Sequence, residues 1–284
     1  MPELPEIANL ARQMDQELWG RRISDLEVRQ AKCLNMPPEN FRHLLLGRTV
    51  RDVGFRGKWV VATLATEWPG NDLKTPPTEP EVRLLLSLGM GGDALFHHPN
   101  AALPDQYQIR MDFADGARLT VRFWLFGYAH ATTPETASSH KMTAELGLNP
   151  LDEEEFTFRA FTGALDRKRG GVKSFLMDQK NVAGVGNVYI QDILFEARLH
   201  PNRKLPTLTE DEKERLYAAV GTVLSEATAM GGLKYEKDLY GRSGRWDTVR
   251  VGYREGQPCP SCGTTIQKIR AGGTSSFVCP SCQN

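Results

Sequence analysis

Apolar positions near the amino terminus recur every three or four residues: Leu4, Ile7, Leu10, Ala11, Met14 and Leu18. That spacing lays one stripe along an amphipathic helix over 3–18. Pro2 and Pro5 fit only its first turn, where a backbone N–H has no helical acceptor to lose. From about residue 22 to 131 the period changes. GKWVVATL, DALFHH, QYQIRMDF and RLTVRFWLF are short β-branched or aromatic runs separated by Gly, Pro, Asn and Asp turns. They predict a β-sandwich, with the Pro-rich NDLKTPPTEPE at 71–81 as a surface loop. Helical periods return at 153–165, 172–179, 188–197, 209–229 and 233–238. The predicted architecture is α+β and multidomain: a helix plus β-sandwich over 1–132, a linker at 133–152, a helical domain at 153–250 and a small module at 251–284. There is no internal repeat.

Composition narrows the class. The 284 residues are 40% apolar and 25% charged, an ordinary globular balance that excludes collagen-like, disordered and disulfide-rich secreted chains. No run approaches the roughly 18 apolar residues of a membrane span, and MPELPEIANL lacks the basic-then-apolar pattern of a signal peptide. These features predict a cytoplasmic chain with no membrane partner. The 35 basic and 35 acidic side chains cancel overall but not locally. Residues 1–132 carry 15 basic and 16 acidic groups, 133–166 carry 2 and 7, and 167–284 carry 18 and 12. Local potential governs steering, so the basic carboxy-terminal part can meet a polyanion.

Four of the five cysteines, Cys259, Cys262, Cys279 and Cys282, form two CPSC knuckles near the end of the chain. Two CxxC knuckles at that separation fit one tetrahedral four-thiolate zinc ion, which staples a module too small to fold on its own core. Disulfides are the rival reading; the isolated Cys33 reads as a buried small hydrophobe.

Further features carry chemistry, each beside a plainer reading. Removal of Met1 exposes the secondary amine of Pro2, which is partly unprotonated at neutral pH and can attack an aldehyde carbon to form a cationic iminium. Glu3 and Glu6 lie within a turn of it, placed for acid/base work; the plainer reading is that Pro and Glu favour a helix start. Lys58 leads an apolar strand, where a solvated edge charge is the usual occupant. In QKNVAGVGNVYIQDILF, Gly184 and Gly186 let backbone approach a ligand and Asn187 reads as the N-cap of the next helix. Open N–H groups there favour a phosphate, which Lys173 of RKRGGVK can share; a solvated charge run is the alternative. Met90 in GMGG can wedge into a base stack or fill a core gap.

In this order, MPELPE, the GK-aromatic strand entry, GMGG, the DQK-VAG-GN-Y segment and the paired CPSC knuckles resemble the Fpg/Nei family of DNA glycosylases, over essentially the whole chain. The resemblance implies a helix-two-turn-helix domain, a zinc-finger β-hairpin, and damaged double-stranded DNA bound between domains by a monomer. It implies a bifunctional glycosylase/lyase of base excision repair that removes oxidised bases and cuts by β,δ-elimination. Pro2 then matches the nucleophile, Glu3 the acid that protonates the sugar, Lys58 the strand lysine near the lesion and Glu6 a supporting carboxylate. Met90 and Phe126 match void-filling residues, and Lys173, Gly186 and Asn187 the phosphate-binding segment. Two departures stand out. Trp124 occupies the position of a void-filling Arg, and Thr274 that of a hairpin Arg, for which Arg270 is the nearby substitute. They leave open a protein that binds damaged or abasic DNA, retaining lyase activity with weak or no base excision. A zinc-ribbon RNA-binding or scaffold protein leaves the PELPE start unexplained.

Overall fold

The computed structural model describes residues 1–66, 81–247 and 250–283, in two compact units. The first comprises residues 1–2, 6–144 and 234–244, and the second 3–5, 145–233 and 245–284. Apart from Glu81, the predicted loop at 71–81 lies outside the described residues.

The amino-terminal helix α1 spans Leu4–Leu18. Among the described residues of the first unit eight strands follow: β1 (Ile23–Val28), β2 (Thr49–Arg56), β3 (Trp59–Ala65), β4 (Val82–Ser87), β5 (Asp93–His97), β6 (Ile109–Phe113), β7 (Arg118–Arg122) and β8 (Tyr128–Thr132). They form two antiparallel sheets, ordered β1-β6-β7-β5 and β2-β3-β4-β8. Ile7, Leu10, Ala11, Met14 and Leu18 of α1 join one core with Leu26, Met111 and Leu119 of the first sheet and Val60, Ala62 and Leu84 of the second. The apolar stripe and the alternating strands thus bury the faces their periods predict. Gly57, at φ +57°, opens the two-residue turn between β2 and β3 and places Lys58 at the entry to β3.

Two local readings are corrected. Pro38–Leu45 forms a helix, α2, within the stretch read as strands; Pro38 sits in its first turn, and Phe41 and Leu45 bury one face at i, i+4 spacing. The helix predicted at 233–238 is absent, because Gly231 and Gly232 take φ of +76° and +84° and end the preceding helix. The residues after them fold onto the first unit. Gln13 Nε2 donates to Asp238 Oδ2 at 2.9 Å, Leu239 N donates to Gln13 Oε1 at 2.9 Å, and Phe96 N donates to Leu239 O at 3.0 Å.

A short helix, α3 (Pro134–Ala137), closes the first unit's main stretch. The second unit is built from α4 (Phe158–Asp166), α5 (Val172–Met177), α6 (Tyr189–Glu196) and α7 (Glu210–Ala229). A capping box between Thr209 and Glu212 starts α7. An antiparallel hairpin, β9 (Gln267–Ala271) and β10 (Thr274–Val278), turns at Gly272 and Gly273, whose φ values of +56° and +79° suit glycine. The core beside it is small: Phe195, Val251, Cys259, Ile266, Phe277 and Cys279.

Candidate functional site

The segment before α6 folds around Gln179. Its Nε2 donates to Met177 O at 3.0 Å and Val185 O at 2.8 Å, while its Oε1 accepts from Gly184 N at 2.8 Å. Gly184 stands at φ +94°, and its carbonyl accepts the N–H of Leu4 at 3.1 Å. That bond seats Glu3 at the start of α6. The Glu3 carboxylate accepts from Gly186 N at 2.8 Å, Val188 N at 2.9 Å and Tyr189 N at 3.4 Å.

This arrangement corrects the reading of the GVGN segment. Its N-cap is Val188, not Asn187, and no side chain of the cap itself accepts a bond. A buried carboxylate needs donors, and a helix start has unsatisfied N–H groups and a positive dipole end. Glu3 meets both needs from the far end of the chain. The Gly186 N–H, read as a phosphate donor, is therefore engaged by Glu3. Pro2, next to Glu3 in the chain, is buried, as is Glu6 one turn on. The Met1 amine lies 3.4 Å from Glu236 Oε1.

Lys173 also departs from the sequence reading. It is fully buried, and its Nζ donates at 2.8 Å to each of Thr274 Oγ1, Ser275 O and Ser276 Oγ. An ammonium has three protons, so none remains for a phosphate. Burial pushes its pKa down to about 8. Thr274 Oγ1 donates onward to Asn187 Oδ1 at 2.9 Å, and Gln191 Nε2 reaches the same oxygen at 3.2 Å. Gln191 Oε1 in turn accepts from Phe277 N at 3.1 Å. The Asn187 side chain is also bonded to that of Tyr253, whose hydroxyl is pushed up chiefly by burial, with the charge of Glu3 adding to the shift. Arg270, on β9, is exposed.

Sequence reasoning missed Gln179, Gln191, Tyr253 and Asp192. Gln191, in the first turn of α6, reaches back four residues to Asn187, just before the N-cap, donating from Nε2 to its carbonyl at 2.8 Å. Asp192 was hidden in an apolar run; it accepts from Arg250 N at 2.9 Å, Val251 N at 3.1 Å and Gly252 N at 3.4 Å, and burial pushes its pKa up to about 6.

In the first unit, Met90 and Leu125 pair through their backbones, Met90 N to Leu125 O at 2.8 Å and Leu125 N to Met90 O at 3.3 Å. A Cβ on Gly89 would lie 2.0 Å from Leu125 O, so only glycine permits this approach. The two loops present Met90 (40% exposed), Trp124 (71%), Leu125 (46%) and Phe126 (65%) together at the surface. Phe126 is held at φ +57°. So many exposed large apolar side chains on a pinned backbone make a surface apolar patch rather than a core.

The thiolates of Cys259, Cys262, Cys279 and Cys282 all lie within 4.8 Å of one another, and no disulfide joins them. Three of the separations are 3.9, 3.5 and 3.4 Å. Four sulfurs at roughly 2.3 Å from a tetrahedral ion stand about 3.8 Å apart, so the residues fit one structural zinc.

Three family descriptions match in chain order: "Formamidopyrimidine-DNA glycosylase N-terminal domain" over residues 1–123, "Formamidopyrimidine-DNA glycosylase H2TH domain" over 146–237, and "Zinc finger found in FPG and IleRS" over 256–284. The chain is 33% identical to a formamidopyrimidine-DNA glycosylase of Chloroflexus aggregans, covering 100% of this chain and 98% of that protein. It is 31% identical to one of Listeria innocua, covering 100% of both. Among solved structures, the Lactococcus lactis Fpg bound to DNA containing N7-benzyl-Fapy-dG superposes with a TM-score of 0.86 at 25% identity, covering 100% of both chains.

Proposed function

The chain belongs to the formamidopyrimidine-DNA glycosylase family, and on that premise we propose that it excises oxidised bases from duplex DNA and cuts the abasic site through an iminium at Pro2. It is a DNA glycosylase of base excision repair that acts on damaged DNA and carries one structural zinc. The observation that carries the mechanism is the Glu3 carboxylate, held by three N–H groups at the start of α6 and joined covalently to Pro2.

Once Met1 is removed, the Pro2 nitrogen attacks C1′ of the flipped nucleotide. Flipping costs a few kcal/mol, less at a damaged pair. The C1′–N bond to the base breaks as the base takes a proton from water, and Glu3 passes the proton shed by the Pro2 nitrogen to O4′ as the C1′–O4′ bond opens to the iminium. The resulting iminium makes the C2′ proton acidic; water takes that proton and the electron pair left behind expels the 3′ phosphate, and loss of a C4′ proton to water then expels the 5′ phosphate. Lys58, at the entry to β3, and Glu6, in the first turns of α1, are the proposed supporting groups. Met90, Trp124 and Phe126 fill the gap in the stack. Base–aromatic stacking is worth about 1–3 kcal/mol per base, so an indole can take the place of a guanidinium there. Asn187 and Arg270 contact backbone phosphates, and Cys259, Cys262, Cys279 and Cys282 hold the zinc that shapes the hairpin carrying Arg270. The chain acts as a monomer in the cytoplasm, at the nucleoid. Among the described residues no helix is long and apolar enough to cross a membrane.

Borohydride reduction of the protein with abasic-site DNA tests the chemistry. A covalent adduct is expected, and it should vanish in Pro2→Gly or when Met1 is retained; correctly processed protein giving no adduct sinks the mechanism. The hairpin position occupied by Thr274 favours one second reading, lyase activity with weak base excision. Trapping on abasic DNA but not on duplexes with an intact oxidised base would select it.

A further inference from the structure

We propose that Lys173 is a positioning residue rather than a phosphate ligand: through Thr274 it sets the hairpin and turns the Asn187 amide so that its NH2 group points away from the hairpin, one N–H meeting the Tyr253 hydroxyl and the other facing the DNA backbone. This rests on the DNA-binding reading above.

An ammonium only donates, so Thr274 Oγ1 is an acceptor toward Lys173 at 2.8 Å. The single hydroxyl proton of Thr274 is then directed to Asn187 Oδ1 at 2.9 Å. An amide whose oxygen faces Thr274 must turn its NH2 the other way. Gln191 Nε2, 3.2 Å from the same Oδ1, enforces the same orientation. The remaining ammonium protons grip Ser275 O and Ser276 Oγ, both at 2.8 Å, so one lysine fixes three consecutive residues of β10. The turn packs on the same side chain: a Cβ on Gly272 would lie 3.7 Å from Cγ and Cδ of Lys173. Thr274 thereby links the buried charge to Asn187. A guanidinium at position 274 could not accept the lysine's proton, so Lys173 would lose one of its three acceptors.

Three measurements test this. Lysine acetylation of the DNA-free protein, mapped by peptide mass, is expected to leave Lys173 at least tenfold less modified than the exposed Lys180; equal labelling overturns the burial on which the proposal stands. This arm needs no DNA and is independent of the proposed activity. The second is affinity for a duplex with an uncleavable abasic analogue. Thr274→Val, which keeps shape but loses the hydroxyl, should weaken binding about tenfold, Thr274→Ser should restore it, and Thr274→Val added to Asn187→Ala should cost nothing beyond Asn187→Ala alone. Full additivity, or a Thr274→Val protein that binds as wild type, overturns the proposal. The third is the salt slope in Lys173→Met. A direct phosphate contact is worth about 0.9 in the slope of log affinity against log salt. A slope lowered by that amount, with Thr274→Val unaffected, identifies Lys173 as a phosphate ligand and refutes the positioning role. Wild-type protein that binds the abasic duplex no better than undamaged DNA instead sinks the functional reading, leaving the acetylation result to stand.

Discussion

Gly184→Ala tests how the fold delivers Glu3. Gly184 sits at φ +94°, and an added Cβ would lie 2.7 Å from Leu4 Cβ, 2.8 Å from Leu4 Cδ1 and 3.1 Å from Leu4 Cγ. The left-handed backbone costs an L-residue roughly 1–2 kcal/mol. Overpacking against the fully buried Leu4 adds roughly 1–3 kcal/mol, because Cβ is not a flexible end that can swing away. The sum is about 2–5 kcal/mol, or roughly 5–15 °C in Tm at this size. Relief to ordinary contact at 3.4 Å needs Leu4 to move by about 0.7 Å. Leu4 is the neighbour of Glu3, so the same shift lengthens the carboxylate's bonds of 2.8 and 2.9 Å to Gly186 and Val188. Misplacement by about 1 Å can cost 100-fold, so borohydride trapping should slow by about 10–100-fold. Scanning calorimetry and single-turnover trapping read the two effects. Gly221→Ala is the control: it lies in α7 with nothing within 4 Å of the added Cβ, and should stabilise by about 0.5–1 kcal/mol. A Gly184→Ala protein within 2 °C of wild type that traps at the wild-type rate refutes the claim that this contact seats Glu3.

Two further outcomes follow from buried groups. Asp192 is held up to about 6 by burial, so the folded chain binds its proton more tightly than the unfolded chain; the favourable contribution is complete below about pH 4 and is lost as pH rises through 6, on the order of 3 kcal/mol. Denaturant titrations of wild type and Asp192→Asn should show that difference between pH 4 and 7, and a difference independent of pH refutes it. Chelation should release one zinc per chain and abolish amide-exchange protection in residues 256–283, because the six-residue core around Phe277 cannot hold the module alone; retained protection there refutes the zinc dependence.

Much of the molecule is legible from local pattern. The stripe from Ile7 to Leu18 and the alternating strands needed no partner to be read, because their periods match the faces they bury. The four cysteines are legible for a similar reason, since a CxxC knuckle brings its two sulfurs to one ion by local geometry. Even the missed α2 left a signal in Pro38, Phe41 and Leu45, overridden by the β-rich runs on either side.

What pattern could not show is who satisfies whom over distance. A lysine in RKRGGVK looks solvated until its three acceptors arrive from the hairpin about a hundred residues on. The helix start at GVGN looks like an open anion site until Glu3 occupies it from the other end of the chain. Residues 233–238 look helical until Gly231 and Gly232 end α7 and the segment after them bonds to Gln13 and Phe96. The sequence by itself therefore determined most of the element types, the family and the zinc ligands, because periodicity and short spacings are properties of neighbouring residues. Only the tertiary structure decided which polar groups remain open to DNA, because a buried donor or acceptor must be paired and its partner can come from anywhere in the chain.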